Sequence, residues 1–164
     1  MKKIAFILSL LILIQNCGFT PVYVSNNDTN INIESITYEG DQELNNYINI
    51  GLKKYISKTP NNTSFKIISQ TDYKKQAQSR DTKGNIQSFK VESSVTFLIT
   101  GKSQSFNLVY TEKSDLNNSD DTFELKSYEN SIKQNFASSM VEKLLLDLSN
   151  RQWFLNFMNL IKLI

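Results

Sequence analysis

The sequence predicts an α+β fold: a two-layer domain with a sheet of about four strands and two helices packed on one face, in the order βαβββα. Three observations carry this. Residues 89–99 and 106–110 keep one parity apolar apart from Ser93 and the other largely polar, the period of a strand with one buried face. Residues 42–58 and 125–148 place apolar residues at helical spacing, one stripe each. A sheet with one apolar face and helices with one apolar stripe must bury them against each other, which gives two layers.

The elements follow in order. Residues 30–38 alternate at Ile31 and Ile33, then shift phase to Ile36 and Tyr38, as a strand with a bulge does. Gly40 ends it, and Asp41 is suited to cap the helix that follows. In that helix Leu44, Ile48, Leu52, Tyr55 and Ile56 share one side, and Lys53, Lys54 and Lys58 suit its negative end. Thr59-Pro60 stops it. Residues 65–69 read as a short strand. Residues 72–85 read as a polar connection that closes on the turn signal Lys83-Gly84-Asn85. Phe89, Val91, Val95, Phe97 and Ile99 form one side of the next strand, with Ser93 the single polar interruption. A tight turn at Thr100-Gly101-Lys102 leads to Phe106, Leu108 and Tyr110, making a hairpin. Residues 115–121 are an acidic loop. In the second helix Tyr128, Ile132, Phe136, Met140, Val141, Leu144, Leu145 and Leu148 form the stripe, and Asn150 is its expected end. Residues 151–164 are very apolar but too short to span a bilayer. Two readings stay open for them: packing onto the domain, or a surface for a membrane or partner.

Ahead of this domain stands an apolar leader. Met1-Lys2-Lys3 is a positive start, and residues 4–14 are apolar apart from Ser9. This is the pattern of a secretory signal peptide. Ile14 and Asn16 suit ordinary cleavage poorly, because small residues are wanted there. Ile14 and Cys17 instead fit a lipoprotein signal over residues 1–16, which leaves Cys17 as the lipidated first residue of a tether over 17–29. Asn16 departs from the small residue usual before that Cys. Cys17 is the sole cysteine, so an internal disulfide is excluded. Left unmodified, it would be a free thiol in an oxidising compartment. Gly18 follows where an Asp would suggest inner-membrane retention, so the expected address is the outer membrane.

Removing the leader takes Lys2 and Lys3 and leaves sixteen bases against sixteen acids. The formal net charge of +2 is therefore no argument for nucleic acid. The charges are zoned instead. Residues 18–52 hold five acids and no base; residues 53–90 hold nine bases against Asp72 and Asp81; residues 91–147 hold nine acids and five bases. The chain has no His, no metal-ligand cluster, no phosphate loop and no Gly-x-Ser-x-Gly elbow. It reads as a binding or assembly part that needs no cofactor and not as an enzyme.

Cys17-Gly18-Phe19 with Pro21 and Tyr23, followed by the order βαβββα over roughly residues 30–150 of a domain that runs over residues 30–164, resembles the LPS-assembly lipoprotein family, LptE; the apolar tail after Asn150 is no part of that resemblance. The resemblance implies an outer-membrane lipoprotein anchored on the periplasmic side. It also implies that the protein plugs and helps assemble an LptD-like β-barrel and assists lipopolysaccharide insertion into the outer leaflet. Its partners would be that barrel, lipopolysaccharide and the membrane. An auxiliary lipoprotein of a lipid or solute transporter, facing the periplasm, is the alternative. Lipopolysaccharide carries phosphates and acidic sugars, which Lys and Arg recognise. The candidates read from the residues themselves are Lys74, Lys75, Arg80, Lys83 and Lys90, with Lys102 at the next turn. A solvated basic loop is the competing reading.

Overall fold

The computed structural model of the chain describes residues 31–57, 64–102 and 104–161, with residues 152–161 described by their backbone. The leader, Cys17, the tether, Lys58 and Pro60 lie outside the described residues. The elements are β1 (Ile33–Gly40), α1 (Gln42–Leu52), β2 (Phe65–Arg80), β3 (Ile86–Thr100), β4 (Ser105–Asn117) and α2 (Thr122–Ile161). The expected α+β class and the order βαβββα are both present. The sheet runs β1-β2-β3-β4; β1 pairs parallel to β2, and the other two pairings are antiparallel.

Strand parity divides the sheet into two faces. Phe65 and Ile67 of β2, Val91, Val95, Phe97 and Ile99 of β3, and Leu116 of β4 are buried. They form one cluster with Leu44, Ile48 and Leu52 of α1 and with Ile132, Phe136, Met140, Leu144 and Leu148 of α2. Ser93 is fully buried in that face and donates from Oγ to the carbonyl of Asp72 at 3.3 Å. The other parity, from Lys66, Gln70 and Lys74 to Thr111 and Lys113, faces outward. The expected bulge is present: the β1–β2 register shifts between Ile33 and Ser35.

The turn from β1 into α1 is built around two residues. Gly40 has φ +95, and a Cβ there would stand 1.8 Å from the carbonyl oxygen of Thr71, so only glycine fits. Asp41 is the N-cap, accepting from the Leu44 N–H at 2.8 Å.

Four expectations are corrected. The first helix ends at Leu52, not near 58; a 3-10 turn follows over Lys53–Tyr55. Ile56 is drawn into a parallel bridge with Ile33. The short strand at 65–69 and the polar connection at 72–85 are one strand to Arg80, because Tyr73, Lys75 and Ala77 pair with Ser93, Val91 and Phe89. The acidic loop begins late, since β4 runs to Asn117 opposite Ser88. Asn150 does not end the second helix, which continues to Ile161; no Gly or Pro stands there to stop it. Within its stripe, Tyr128 is half exposed.

Candidate functional site

The five basic candidates do not converge on one patch. Four of them, Lys74, Lys75, Arg80 and Lys90, lie on the β2–β3 hairpin arms, and strand parity separates these. Lys75 is on the covered face, ion-paired to Glu129 of α2 at 2.8 Å and stacked over the Phe89 ring at 4.5 Å. It joins helix to sheet and is not presented to a ligand. Arg80 donates from Nη1 to the carbonyl of Gly84 at 2.8 Å and so braces the turn. Asp81 completes that turn, accepting from the N–H groups of Lys83 and Asn85, both at 2.8 Å. Hydrogen bonds from the Asn85 side chain above all, and from the backbone N–H groups around it, hold the Asp81 carboxyl below its ordinary range. Gly84 supplies the positive φ of +88. Lys83 extends from the same turn, exposed, with no ion pair to a described residue.

Lys74 and Lys90 are on the open face, where the register sets charges in rows. Lys74 stands opposite Glu92, which stands opposite Lys113; Gln76, Lys90 and Asp115 form the next row. Lys74 pairs with Asp72 at 2.9 Å and Lys113 with Glu92 at 2.8 Å. The hydrogen bond from Lys113 lowers the Glu92 pKa, and the bond to Asp72 raises that of Lys74. These rows are therefore charge-balanced: Lys74, Lys90 and Lys113 against Asp72, Glu92 and Asp115. Lys113 was missed in the sequence because it lies outside the basic zone; counting by parity from Tyr110 places it. Beyond the rows, Ile68, Leu98 and Val109 lie on the same parity near the other end, with Ile68 and Val109 exposed. Lys102 is at that other end too, after Thr100. The length of β3, about 50 Å at 3.4 Å per residue, separates it from the Lys83 turn.

A hollow of about 650 Å³ beside that turn is lined by Asp81, Asn85, Gln87, Phe89, Asn118 and Asp120 among others. Its carboxylates are the wrong sign for a phosphate. A second hollow, of about 440 Å³, lies between β1 and α1, lined by Tyr38, Glu43 and the amides Gln42, Asn45, Asn46 and Asn49. The Tyr38 hydroxyl donates to Asn49 Oδ1 at 3.1 Å, and burial pushes its pKa up to about 12. Neither hollow is a cage for a cofactor, and no group of metal ligands is found among the described residues.

The other strong electrostatic feature is structural. Lys133 of α2 is buried and bridges Asp41 Oδ2 at 3.1 Å and Glu43 Oε2 at 2.9 Å, with its Nζ 4.2 Å from the centre of the Tyr73 ring. Burial pulls the Lys133 pKa down, but the hydrogen bonds to Glu43 and Asp41 outweigh it and leave it raised. One ammonium thus ties the capped end of α1 to α2 and to β2. Its sequence signal is a lysine in the stripe that holds Ala137, Val141, Leu144 and Leu148.

No family model matches the chain, and no curated protein matches its sequence. Solved structures do share its fold. Rare lipoprotein B from Shewanella oneidensis superposes with a TM-score of 0.56 at 10% identity, over 74% of this chain and 98% of that one. A lipoprotein from Caulobacter crescentus superposes with a TM-score of 0.53 at 15% identity, over 72% and 88%. At these identities the likeness is one of fold.

Proposed function

We propose that the chain is an outer-membrane lipoprotein, anchored through Cys17 on the periplasmic side, that plugs and helps assemble an LptD-like β-barrel and assists lipopolysaccharide insertion. The observation that carries this is a conjunction. A leader that closes on Cys17-Gly18-Phe19 precedes a βαβββα fold shared with rare lipoprotein B. The open face supports the barrel part of the reading. A large barrel's interior is polar, and a face with charge-balanced rows of Lys, Glu and Asp, and with Thr and Asn, can hydrogen-bond to such a wall without a net electrostatic cost. Lys74, Lys83 and Lys90 are the cations left to meet lipopolysaccharide phosphates. The protein does this by binding, with no bond made or broken.

The test is affinity purification of the full chain from detergent-solubilised outer membranes. The expected result is a large β-barrel that resists heat unfolding only while this chain is present. Recovery with an inner-membrane transporter and no barrel would overturn the proposal.

A further inference from the structure

The described chain begins at the end of the sheet where the last helix passes Arg151, the start on the β1 edge and the helix beside β4. β1 starts at Ile33, β2 at Phe65 and β4 at Ser105, and β3 finishes at Thr100. The register aligns Ile33 with Phe65, and Lys66 with Thr100, which aligns with Ser105. The described chain, from Ile31, therefore enters the sheet at this end. α2 leaves at the same end. Its Asp147 accepts from the Tyr110 hydroxyl, and one turn later the Arg151 guanidinium lies 4.2 Å from the centre of the Phe106 ring, next to the start of β4. The helix then continues over residues 152–161, about 15 Å at 1.5 Å per residue.

The sequence of that extension differs from the rest of α2. Over residues 125–148 one stripe is apolar. Over 152–161 only Gln152, Asn156 and Asn159 are polar, and at 3.6 residues per turn they fall on one narrow strip. Trp153, Phe154, Phe157, Leu160 and Ile161 are among those that fill the remainder. A helix apolar over most of its circumference belongs in a protein interior or in lipid. Residues 151–164 contain no acid and two bases, Arg151 and Lys162, so nothing in them repels a bilayer surface. Among the described residues no helix is long and apolar enough to cross a membrane.

We infer that residues 152–161 form a second membrane contact, a helix seated in the lipid interface of the bilayer that holds the acyl anchor. The inference rests on the lipid-anchored reading for where the membrane lies, and is independent of any barrel. The tether can reach: the fourteen residue-to-residue steps from Cys17 to Ile31 span at most about 50 Å fully extended. The polar strip is made of amides, so the contact depends on apolar burial and not on anionic lipid.

Trp153 is the sole tryptophan, so its emission reports on this segment alone. The experiment uses residues 17–164 with Cys17→Ser, which keeps every strand, helix and core residue described and removes the site of acylation. It is mixed with phosphatidylcholine vesicles, with and without phosphatidylglycerol. The expected results are a blue shift of emission, quenching by lipids brominated in the acyl chain, and little change with salt or phosphatidylglycerol. Phe154→Ser, Phe157→Ser and Leu160→Ser combined should weaken partitioning by about a hundredfold or more. They should leave the circular dichroism of the sheet unchanged. Emission that ignores vesicles would overturn the inference. Emission already blue without lipid would overturn it as well, because the segment would then be covered by the chain itself or by a second copy, which sedimentation separates. Binding that needs phosphatidylglycerol and vanishes in salt would overturn it too. A barrel recovered in the pull-down together with vesicle-blind emission would refute this contact and leave the plug proposal standing.

Discussion

Lys74 and Lys75 are neighbours in β2 and belong to different regions of the molecule. Lys75 lies on the covered face, where its ammonium is held between Glu129 and the Phe89 ring. Lys74 lies on the open face beside Asp72, mostly exposed. The same division runs through β3, where Val91, Val95, Phe97 and Ile99 are buried against the helices while Lys90, Glu92, Ser94 and Thr96 face away. Strand parity, not residue type, decides whether a side chain holds the fold or is available to a partner. A block of basic residues in the sequence is therefore two sets of residues in space.

The comparison breaks first where packing is densest. Phe97 is fully buried, in tilted contact with Tyr110 at 6.1 Å between ring centres. Phe97→Ala should cost about 3–5 kcal/mol, read by urea denaturation. Thr96→Ala, one residue away on the open face, should stay within about 0.5 kcal/mol. Equal losses from the two would mean that the faces are not distinct.

The Lys133 bridge gives the next largest effect. Removing one partner of a buried ion pair costs about 3–5 kcal/mol, and the partial exposure of Asp41 and Glu43 puts Lys133→Ala at the lower end. Lys133→Met keeps the stem over Tyr73 and should recover part of that loss. If the two variants were equally unstable, the charge alone would matter and the packing would not.

These residues also show what was legible in the sequence. β3 was readable because its alternation is local. The far half of β2 was not: Asp72, Lys74, Gln76 and Ser79 give no apolar alternation, and the strand exists because β3 lies alongside to pair with it. The N-cap at Asp41 was legible from position alone, but its second role, accepting from Lys133 across a separation of 92 residues, depends on tertiary structure. The basic candidates failed to converge for the same reason. A count along the chain registers charge, while Glu129 and Glu92, which engage or balance it, come from other segments.

Acid should weaken the bridges that hold α2 to α1 and to β4. Hydrogen bonds from Lys133 and then Lys126 hold the Glu43 carboxyl below its ordinary value. Burial raises that of Glu112, but the hydrogen bonds from Lys143 and Ser139 outweigh it and leave it lowered. A depressed carboxyl adds stability above its unfolded value of about 4.3 and loses it as pH falls through the folded value. Stability should therefore fall with pH below about 4.5. In Glu43→Gln with Glu112→Gln the slope should be shallower, as read by denaturation at a series of pH values. An unchanged slope would assign the acid sensitivity elsewhere. Lys133 behaves oppositely: its raised pKa contributes below about 10.4 and fades as pH rises through the folded value.

The smallest effect on stability is the one that bears most on function. Lys74→Ser, Lys83→Ser and Lys90→Ser combined remove three cations that touch no helix, so the urea midpoint should move by less than the Lys75→Ser midpoint does. Exposed pairs such as Lys74 with Asp72 contribute about 0–1 kcal/mol. The triple variant should nevertheless weaken lipopolysaccharide binding at low salt, and salt should erase the difference between it and the unaltered chain, because exposed charges are screened over about 10 Å at 0.1 M. Lys75→Ser supplies the control: it should destabilise by about 1–2 kcal/mol, because Lys75 and Glu129 are mostly buried, yet leave binding by the folded protein unchanged. If Lys75→Ser weakened binding and the triple variant did not, the lipid would have to reach the covered face. It would then have to enter between α2 and the sheet, and α2 would have to move to admit it.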